Sequence, residues 1–499
     1  MKKQLKKAVC IVISAAMILA ALTVGAFAAD SFTITDPYKN IDWDTVNSYK
    51  TALHSHTNAS DGDITLRQSL QRHLETGYDA VAITDHGIVN YSWEKPVKIG
   101  FIHSALKMLG RSKGDLDYLG TSGSFESGEK YTLTNENGDD VLVIGDRKIL
   151  RIPYGIEQNA VTVNAHVCSW FADYHKNLPV DYEDAVRGAT KNGGLCVINH
   201  PGEYTQARYE LFSEDAYDLG NFAYRYYFNK FYGLIDKYDG CLGIDINSKG
   251  DDRTRYDRKL WDEMLIKAAE NGKTVYSIAT SDAHQLDKID TGSTVILAKE
   301  LTSESIKNAM KNGEMLPQST CISNYDELVS ITEAIRSLYG ETDLYKELSD
   351  ITERYAAERL EKVKSKSTSN VGIRYRALDD EGYSDRTRPA VNSITVDDAE
   401  NTIKIETENS LLIRWISNGK LVATTKADGS AFDLDDFADE IKGYIRAEIF
   451  GEGGIVYTEA FMLNAENTQP HKTSFINFGF FDFIFGQVNR YINVIKRVR

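Results

Sequence analysis

Between residues 48 and 320, short apolar runs alternate with stretches in which apolar residues recur every three or four positions. The runs are typical of buried strands and the spaced residues of amphipathic helices. In "TLRQSLQRHLETG", for example, Leu66 and Leu70 share one helical face, and Thr65 and Gln68 have the spacing of a capping box. The alternation predicts an α/β fold whose parallel strands are joined by helices, and the number of units favours a closed or nearly closed barrel.

Three segments depart from this series. Residues 92–149 are rich in glycine and charge, which predicts an insertion of loops and a hairpin near the barrel mouth. Residues 325–366 are charged and helical in pattern and are interpreted as a connector or a small helical cap. Residues 388–465 alternate with a period of two and predict a small antiparallel β-sandwich, with Asn418-Gly419 as a type I′ hairpin turn.

The C-terminal segment 474–499 joins a phenylalanine-rich run to the basic stretch "QVNRYINVIKRVR". The run is too short, and too interrupted by Asp482, to span a bilayer. Three interpretations stay open: residues 475–499 pack against the rest of the chain, form an interfacial helix that contacts a membrane surface or cell envelope, or are disordered.

Residues 1–28 combine a basic start, an apolar run and a small-residue cleavage pattern, which predicts a signal peptide and a secreted or extracytoplasmic protein, with a retained membrane anchor as the alternative. Cys10 would leave with this peptide. The remaining cysteines show no CxxC spacing, so a zinc–thiolate site is not expected. Export permits disulfides, but the apolar surroundings favour buried free thiols. These cysteines are Cys168, Cys196, Cys241 and Cys321.

The formal net charge is −16 at pH 7, which argues against a nucleic-acid polymer as the main partner. An acidic chain can still bind a small phosphorylated substrate, because metal ions can supply local positive charge.

Histidine is scarce, with ten residues in the chain, yet His54 and His56 stand one residue apart at the end of the first predicted strand. Side chains two positions apart project from the same face of a strand, so both imidazoles would converge on one point, as in a metal site. Other metal-capable residues also lie at or near predicted strand ends: Asp61, His86, Glu157, His166, His200, Asp282 and His284. In a β/α barrel these ends form one face, where we expect a multinuclear metal site. The other four histidines, His73, His103, His175 and His471, are interpreted as ordinary surface or packing residues.

The ordered motifs HxH, SDG, TDH, GIE, AH, NHP and SDAH over residues 50–320 resemble the PHP family, named for polymerase and histidinol phosphatase domains. The resemblance implies a distorted (β/α)7 TIM-like barrel, up to three divalent ions and phosphoesterase activity. It implies one ion on His54, His56, Glu157 and Asp282. A second would share Glu157 and add His166 and His200, and a third would take Asp61, His86 and His284. Asp61 departs from members that place a histidine there.

Mixed imidazole and carboxylate ligands suit zinc, manganese or iron. Two or three such ions, bridged by Glu157, could activate a water that attacks a small phosphate ester. Asp282 or His200 could then pass a proton to the leaving alkoxide. Asp85 is interpreted as a partner that orients a ligand. Arg208 and Lys249 are candidates for binding the substrate phosphate, although solvated surface cations are the simpler interpretation, and Asp245 and Asn247 either face the substrate or cap a strand.

Two other functions stay open. An amidohydrolase-like enzyme also uses HxH, but the set Asp61, His86 and His284 is surplus to that scheme. A non-catalytic surface or adhesion protein would have a vestigial barrel, which the intact ligand set argues against.

Overall fold

The computed structural model describes residues 32–97, 108, 112–114, 117–136, 138–158, 166–175, 181–203, 222–247, 257–320, 322, 325–364, 386–464 and 475. The predictions for the signal peptide 1–28, Cys321, Arg208, Lys249 and the C-terminal segment apart from Phe475 lie outside these residues. The described chain is a mixed α/β protein.

The strands that surround the candidate site belong to two sheets. One contains β2 (Asn47–Ala52), β3 (Ala80–Val81), β7 (Arg147–Arg151), β13 (Gly292–Ala298) and β14 (Met315–Ser319). The other contains β8 (Ile156–Glu157), β9 (Val167–Trp170), β10 (Leu195–Ile198), β11 (Cys241–Asp245) and β12 (Tyr276–Ile278).

The expectation of an all-parallel sheet is wrong. The pairs β2–β3, β3–β7, β10–β11 and β11–β12 are parallel. In contrast, β9 runs antiparallel to both β8 and β10, and β13 runs antiparallel to β2 and β14. The link from β8 to β9, residues 158–166, is shorter than the dozen or so residues that a parallel crossover needs, so the chain reverses there.

Two single parallel bridges join these sheets at the ends that carry the candidate residues. His86 bridges to Glu157, and Ser55 bridges to Ala283. The described strands form no closed barrel, since each junction is a single bridge rather than a continued ladder.

Seven α-helices lie within the described residues: α1 (Leu66–Glu75), α2 (Tyr182–Lys191), α3 (Phe222–Lys237), α4 (Asp257–Ala269), α5 (Ser303–Asn312), α6 (Tyr325–Tyr339) and α7 (Asp343–Lys364). Thr65 and Gln68 form the predicted capping box of α1, and Leu66, Leu70 and Leu74 are its buried face. No described helix has the length and apolarity to cross a membrane.

The insertion contains an antiparallel meander that continues from β7 through β6 (Asp139–Ile144) and β5 (Lys130–Glu136) to β4 (Ser122–Ser124). Its apolar face packs on α1: Tyr131, Leu142 and Ile149 share a buried cluster with Leu70.

The C-terminal strands divide between two sheets. A three-stranded sheet holds β15 (Ala390–Asp397), β16 (Thr402–Glu408) and β19 (Ala431–Asp433). The others are β17 (Leu412–Ser417), β18 (Lys420–Lys426), β20 (Tyr444–Gly451), β21 (Gly454–Tyr457) and β22 (Phe461–Leu463), and β22 also pairs with β1 (Ile34–Thr35). β21 pairs with β14, so this sheet continues the one that contains β2. Asn418 and Gly419 both have positive φ, as the predicted type I′ turn requires.

A buried ion network, defined by Arg258, Asp262, Glu327, Arg414, Arg446 and Glu448, joins helices α4 and α6 to strands β17 and β20. Arg446 bonds Asp262 through two nitrogens at 2.8 Å, and it lies 2.8 Å from Glu448. Arg414 lies 2.6 Å from Glu448, and Arg258 pairs with Glu327. Three cations therefore face three anions.

The expectation of buried free thiols is confirmed for the three cysteines that the structure describes. Cys168, Cys196 and Cys241 are free and buried.

Candidate metal centre

The first two ligand candidates follow strand β2 directly. His54 and His56 are fully buried, and their Nε2 atoms lie 3.0 Å apart. The N–H of His56 donates to the carbonyl of Ala283, which ties this segment to the loop after β12. The extended backbone turns both imidazoles to one side, as the HxH pattern predicts.

Glu157, at the end of β8, is the central carboxylate of the site and is fully buried. Its Oε1 lies 2.6 Å from His166 Nδ1, and its Oε2 lies 2.7 Å from His86 Nδ1. The Nε2 atoms of His56, His54 and His200 lie 3.4, 3.6 and 3.6 Å from its oxygens. Glu157 therefore lies within reach of ligands from several strands.

Asp282 is the second buried carboxylate. Its Oδ1 lies 3.1 Å from His56 Nε2 and 3.3 Å from His54 Nε2, and its Oδ2 lies 3.8 Å from His200 Nε2. Asp282 and His200 have φ values of 44° and 28°. These left-handed conformations are unfavourable for non-glycine residues and recur at functional sites.

The outer part of the site is more exposed. Asp61 is 40 % exposed at its side chain, and its oxygens lie 3.3 Å from His284 Nε2, 3.4 Å from His86 Nε2 and 3.7 Å from His56 Nδ1. His284 is 31 % exposed. A substrate would reach the centre most directly from this side.

The potential donor atoms form four overlapping groups, each of which could hold a metal ion. These are His56, Asp61, His86 and His284; His54, His56 and Glu157; His54, His200 and Asp282; and His86, Glu157 and His166. All nine residues proposed as ligands from the sequence are therefore brought together.

The groups divide the ligands differently from the PHP-based scheme. The predicted set Asp61, His86 and His284 gains His56. His166 groups with Glu157 and His86 rather than with His200, because His86 lies directly against the Glu157 carboxylate.

The protonation of the site reflects this crowding. Burial alone would raise the pKa of Glu157, but the nearby imidazoles of His166 and His86 hold it well below its usual range. Burial and the neighbouring His284 and His86 lower the pKa of His56 to about 4. Burial opposes protonation of His86, yet Glu157 and Asp61 raise its pKa to about 10. The carboxylates therefore favour protonation of some imidazoles, such as His86, while crowding by other imidazoles disfavours protonation of His56.

The donor set fits divalent cations. Two imidazole Nε2 atoms and one carboxylate oxygen, those of His54, His56 and Asp282, converge within 3.3 Å of one another. Lone pairs that converge in a buried site are satisfied by a cation, and mixed nitrogen and oxygen donors suit zinc, manganese or iron.

Asp85 belongs to none of the four groups and instead holds the loop after His56. It accepts hydrogen bonds from Thr57 N–H at 2.7 Å, Thr57 Oγ1 at 2.7 Å and Ser60 Oγ at 2.6 Å. Ser60 Oγ in turn lies 3.4 Å from His56 Nδ1. This series of contacts from Asp85 through Ser60 to His56 suits the orienting role expected for Asp85, which stays a prediction.

The sequence did not reveal the parts played by Asn199, Cys168 and Ser60. Asn199 Nδ2 lies 2.9 Å from Cys168 Sγ and 3.3 Å from Glu157 Oε1, so it contacts the central carboxylate. Its position directly before His200 is the only sequence signal, and an amide carries no metal-binding pattern.

His73 packs as expected. It is fully buried in α1, with Nδ1 2.8 Å from the Ser69 carbonyl, and burial lowers its pKa to about 4. Asp245 and Asn247, which lie at the end of β11, are also buried.

Comparisons with known proteins give distant structural likenesses. No family model and no curated protein matches the chain, whereas nine solved chains do. One is a two-domain protein from Bacteroides vulgatus containing a predicted PHP-like metal-dependent phosphoesterase, at 14% identity and a TM-score of 0.35 over 90% of this chain and 98% of that one.

Two further matches are equally remote. PsfC from Pseudomonas syringae is 12% identical, with a TM-score of 0.31, over 58% of this chain and 98% of that one. The lesion-specific endonuclease PfuEndoQ from Pyrococcus furiosus is 13% identical, with a TM-score of 0.29, over 53% of this chain and 56% of that one. At these scores the likenesses establish neither the family nor the activity of this chain.

Proposed function

We propose that this protein is a metal-dependent phosphoesterase of the PHP type that hydrolyses small phosphate esters. One observation carries the proposal: nine imidazole and carboxylate side chains form four overlapping donor groups around the buried Glu157. The order of the motifs that supply them supports the PHP assignment over an amidohydrolase-like enzyme, because Asp61, His86 and His284 complete a further group.

The chain's residues have distinct roles in this proposal. Glu157 shares its carboxylate between two groups, while Asp61 and His284 form the open side that receives the substrate. Divalent ions bound there would activate water and neutralise the phosphoryl oxygens. Asp282 and His200 are the candidates to pass a proton to the leaving alkoxide.

The finer features belong to the same proposal. Three divalent ions, zinc, manganese or iron, would account for the four groups, which share ligands. The two bridges, His86 with Glu157 and Ser55 with Ala283, connect the two sheets and support a distorted (β/α)7 TIM-like barrel that is not closed by continuous strand pairing. Export through residues 1–28 and envelope contact through residues 475–499 rest on sequence pattern alone, and fractionation of full-length and tail-truncated protein tests them.

The test is elemental analysis of the full chain, purified without chelators, together with a panel of phosphate monoesters, diesters, amides and lactones. We expect bound divalent metal and phosphate release, both lost in His54→Ala and Asp282→Ala and both retained in the control His175→Ala. Hydrolysis of amides or lactones alone would favour the amidohydrolase-like alternative, and a metal-free, inactive protein would favour a surface role.

A further inference from the structure

Asn199 is a partner of the central carboxylate that is not itself a ligand candidate. Its side chain is fully buried, and its Nδ2 lies 3.3 Å from Glu157 Oε1. The other side chains against the Glu157 oxygens, within the described chain, are imidazoles of the four donor groups. A carboxylate only accepts hydrogen bonds, so the amide nitrogen and not the amide oxygen faces Glu157.

The same residue is held from two further sides. Its Nδ2 also lies 2.9 Å from Cys168 Sγ, so the two amide hydrogens have separate acceptors. The backbone N–H of Asn199 donates to the His166 carbonyl at 3.0 Å and continues the antiparallel pairing of β9 with β10 past the strand ends. Asn199 directly precedes His200 in the chain. One residue therefore connects Glu157, His166 and His200.

The two oxygens of Glu157 lie toward different donor groups. Oε1 lies 2.6 Å from His166 Nδ1, whereas Oε2 lies 3.4 Å from His56 Nε2. His166 and His56 belong to the two donor groups that share Glu157. The torsion that turns a carboxylate about its last bond is broad, so the side chain alone does not fix which oxygen faces which group. A hydrogen bond to Oε1 from a rigid neighbour fixes it.

The amide is also suited to keep this contact when a cation is bound. An imidazole nitrogen that ligates a cation uses its lone pair and carries no hydrogen, so it cannot also donate to Glu157. The amide NH2 group acts only as a donor, and Oε1 retains a further lone pair for a cation. The bond from Asn199 is therefore compatible with both the empty and the filled site.

We propose that Asn199 is a positioning residue of the metal centre, which holds Glu157 with Oε1 at the donor group of His166 and Oε2 at that of His56. Asn199 acts through Glu157 and is not a ligand. This inference rests on the proposed metal-dependent function and adds a residue that none of the four donor groups contains.

The test titrates Mn²⁺ into metal-free wild type, Asn199→Leu and Asn199→Ala, with free Mn²⁺ measured by electron paramagnetic resonance. Asn199→Leu keeps the approximate size of the side chain and removes the donor, and Asn199→Ala removes the donor without adding bulk. We expect Mn²⁺ affinity to fall at least about tenfold in both, as for other outer partners of metal ligands. The thermal midpoint of each metal-free protein is measured separately, because a residue that only packs would lower this midpoint and leave the affinity of the folded protein unchanged.

Asn271→Ala is the matched control, because Asn271 is also a buried asparagine and its Nδ2 donates to Tyr232 Oη at 2.8 Å. It should leave Mn²⁺ affinity unchanged. Wild-type affinity in folded Asn199→Leu or Asn199→Ala would overturn the positioning role and leave the phosphoesterase proposal intact. Weakened affinity in these variants, with a metal-loaded wild type inactive on the whole phosphate panel, would support the positioning role and overturn the phosphoesterase. A wild type that binds neither Mn²⁺ nor Zn²⁺ would overturn both.

Discussion

The candidate metal centre and the buried ion network both hide ionisable side chains, but they balance charge in different ways. In the network, permanently charged guanidinium groups face carboxylates, so Arg446 and Arg414 neutralise Glu448 within the protein. In the metal centre, Glu157 and Asp282 face imidazoles whose charge depends on protons. A buried group of charges that neutralise one another serves the fold. A buried group of carboxylates and imidazoles that contains no permanent cation is suited to bind a metal cation.

The largest expected effect follows from removing the central charge of the metal centre. Glu157→Gln keeps the size of the side chain but removes the anion shared by two donor groups. We expect loss of bound metal and a fall in phosphate release of more than about a hundredfold. Removing a residue that only orients a metal ligand lowers activity by about tenfold to a hundredfold, and a ligand itself should matter more. Elemental analysis and steady-state kinetics measure this, with the exposed Glu136→Gln as control. Full metal content in Glu157→Gln would contradict the central role of this residue.

Removing an anion from the ion network should act on the fold instead. Glu448→Gln leaves Arg414 and Arg446 buried with reduced neutralisation, which costs about 3–5 kcal/mol of unfolding free energy. Urea unfolding measures this, while metal content and kcat of the folded fraction should not change. The exposed Glu406→Gln should change stability by less than about 0.5 kcal/mol. Equal stabilities for the two variants would show that the network is not structural.

A smaller effect is expected for Ser60, which contacts the ligand candidate His56 but belongs to none of the four donor groups. Ser60→Ala breaks the connection between Asp85 and His56. We expect metal affinity to fall about tenfold, as for other outer partners of metal ligands, with little change in the thermal midpoint. Competition with a chelator of known affinity measures it, and Ser127→Ala on the exposed hairpin is the control. Unchanged affinity would leave Asp85 with a loop-holding role alone.

The smallest effect concerns Glu459, a buried carboxyl that belongs to none of the four donor groups and has no arginine partner among the described residues. Both oxygens of Glu459 lie 3.1 Å from Ser277 N, and burial raises its pKa well above the usual range. The unfolded chain loses this proton near pH 4.5, whereas the folded chain retains it to a higher pH, so stability declines as pH rises from that value toward the folded-state pKa. Glu459→Gln should reduce this decline in urea unfolding between pH 5 and pH 8; an unchanged pH profile would contradict it.

The sequence indicated which side chains lie together in the candidate metal centre better than it indicated the sheets around them. His54, His86 and Asp282 could be placed because a strand end is a local feature and their residue types are rare and chemically specific. The reversal at β9 depends on how long the preceding link is relative to a crossover, which an apolar run does not encode. The whole barrel therefore remains a proposal.

The ion network could not be predicted from the sequence, for a different reason. Arg258 and Asp262 fall in a helix whose charged residues suggest a solvated face. Asp262 pairs with Arg446 on β20, 184 positions away, and Arg258 pairs with Glu327 on α6, 69 positions away, so their burial depends on contacts between distant parts of the chain. Asn199 was missed because an amide acquires meaning only from its neighbours, here Glu157 and Cys168.

The hydrogen-bonded continuity of β21 with β14 has a consequence for how the molecule can be divided. A backbone break between residues 364 and 386 would separate two fragments that share one sheet and one set of opposed charges. Neither fragment would have a complete hydrophobic core by itself. The two fragments, when co-expressed, should therefore associate and restore the folded protein by complementation.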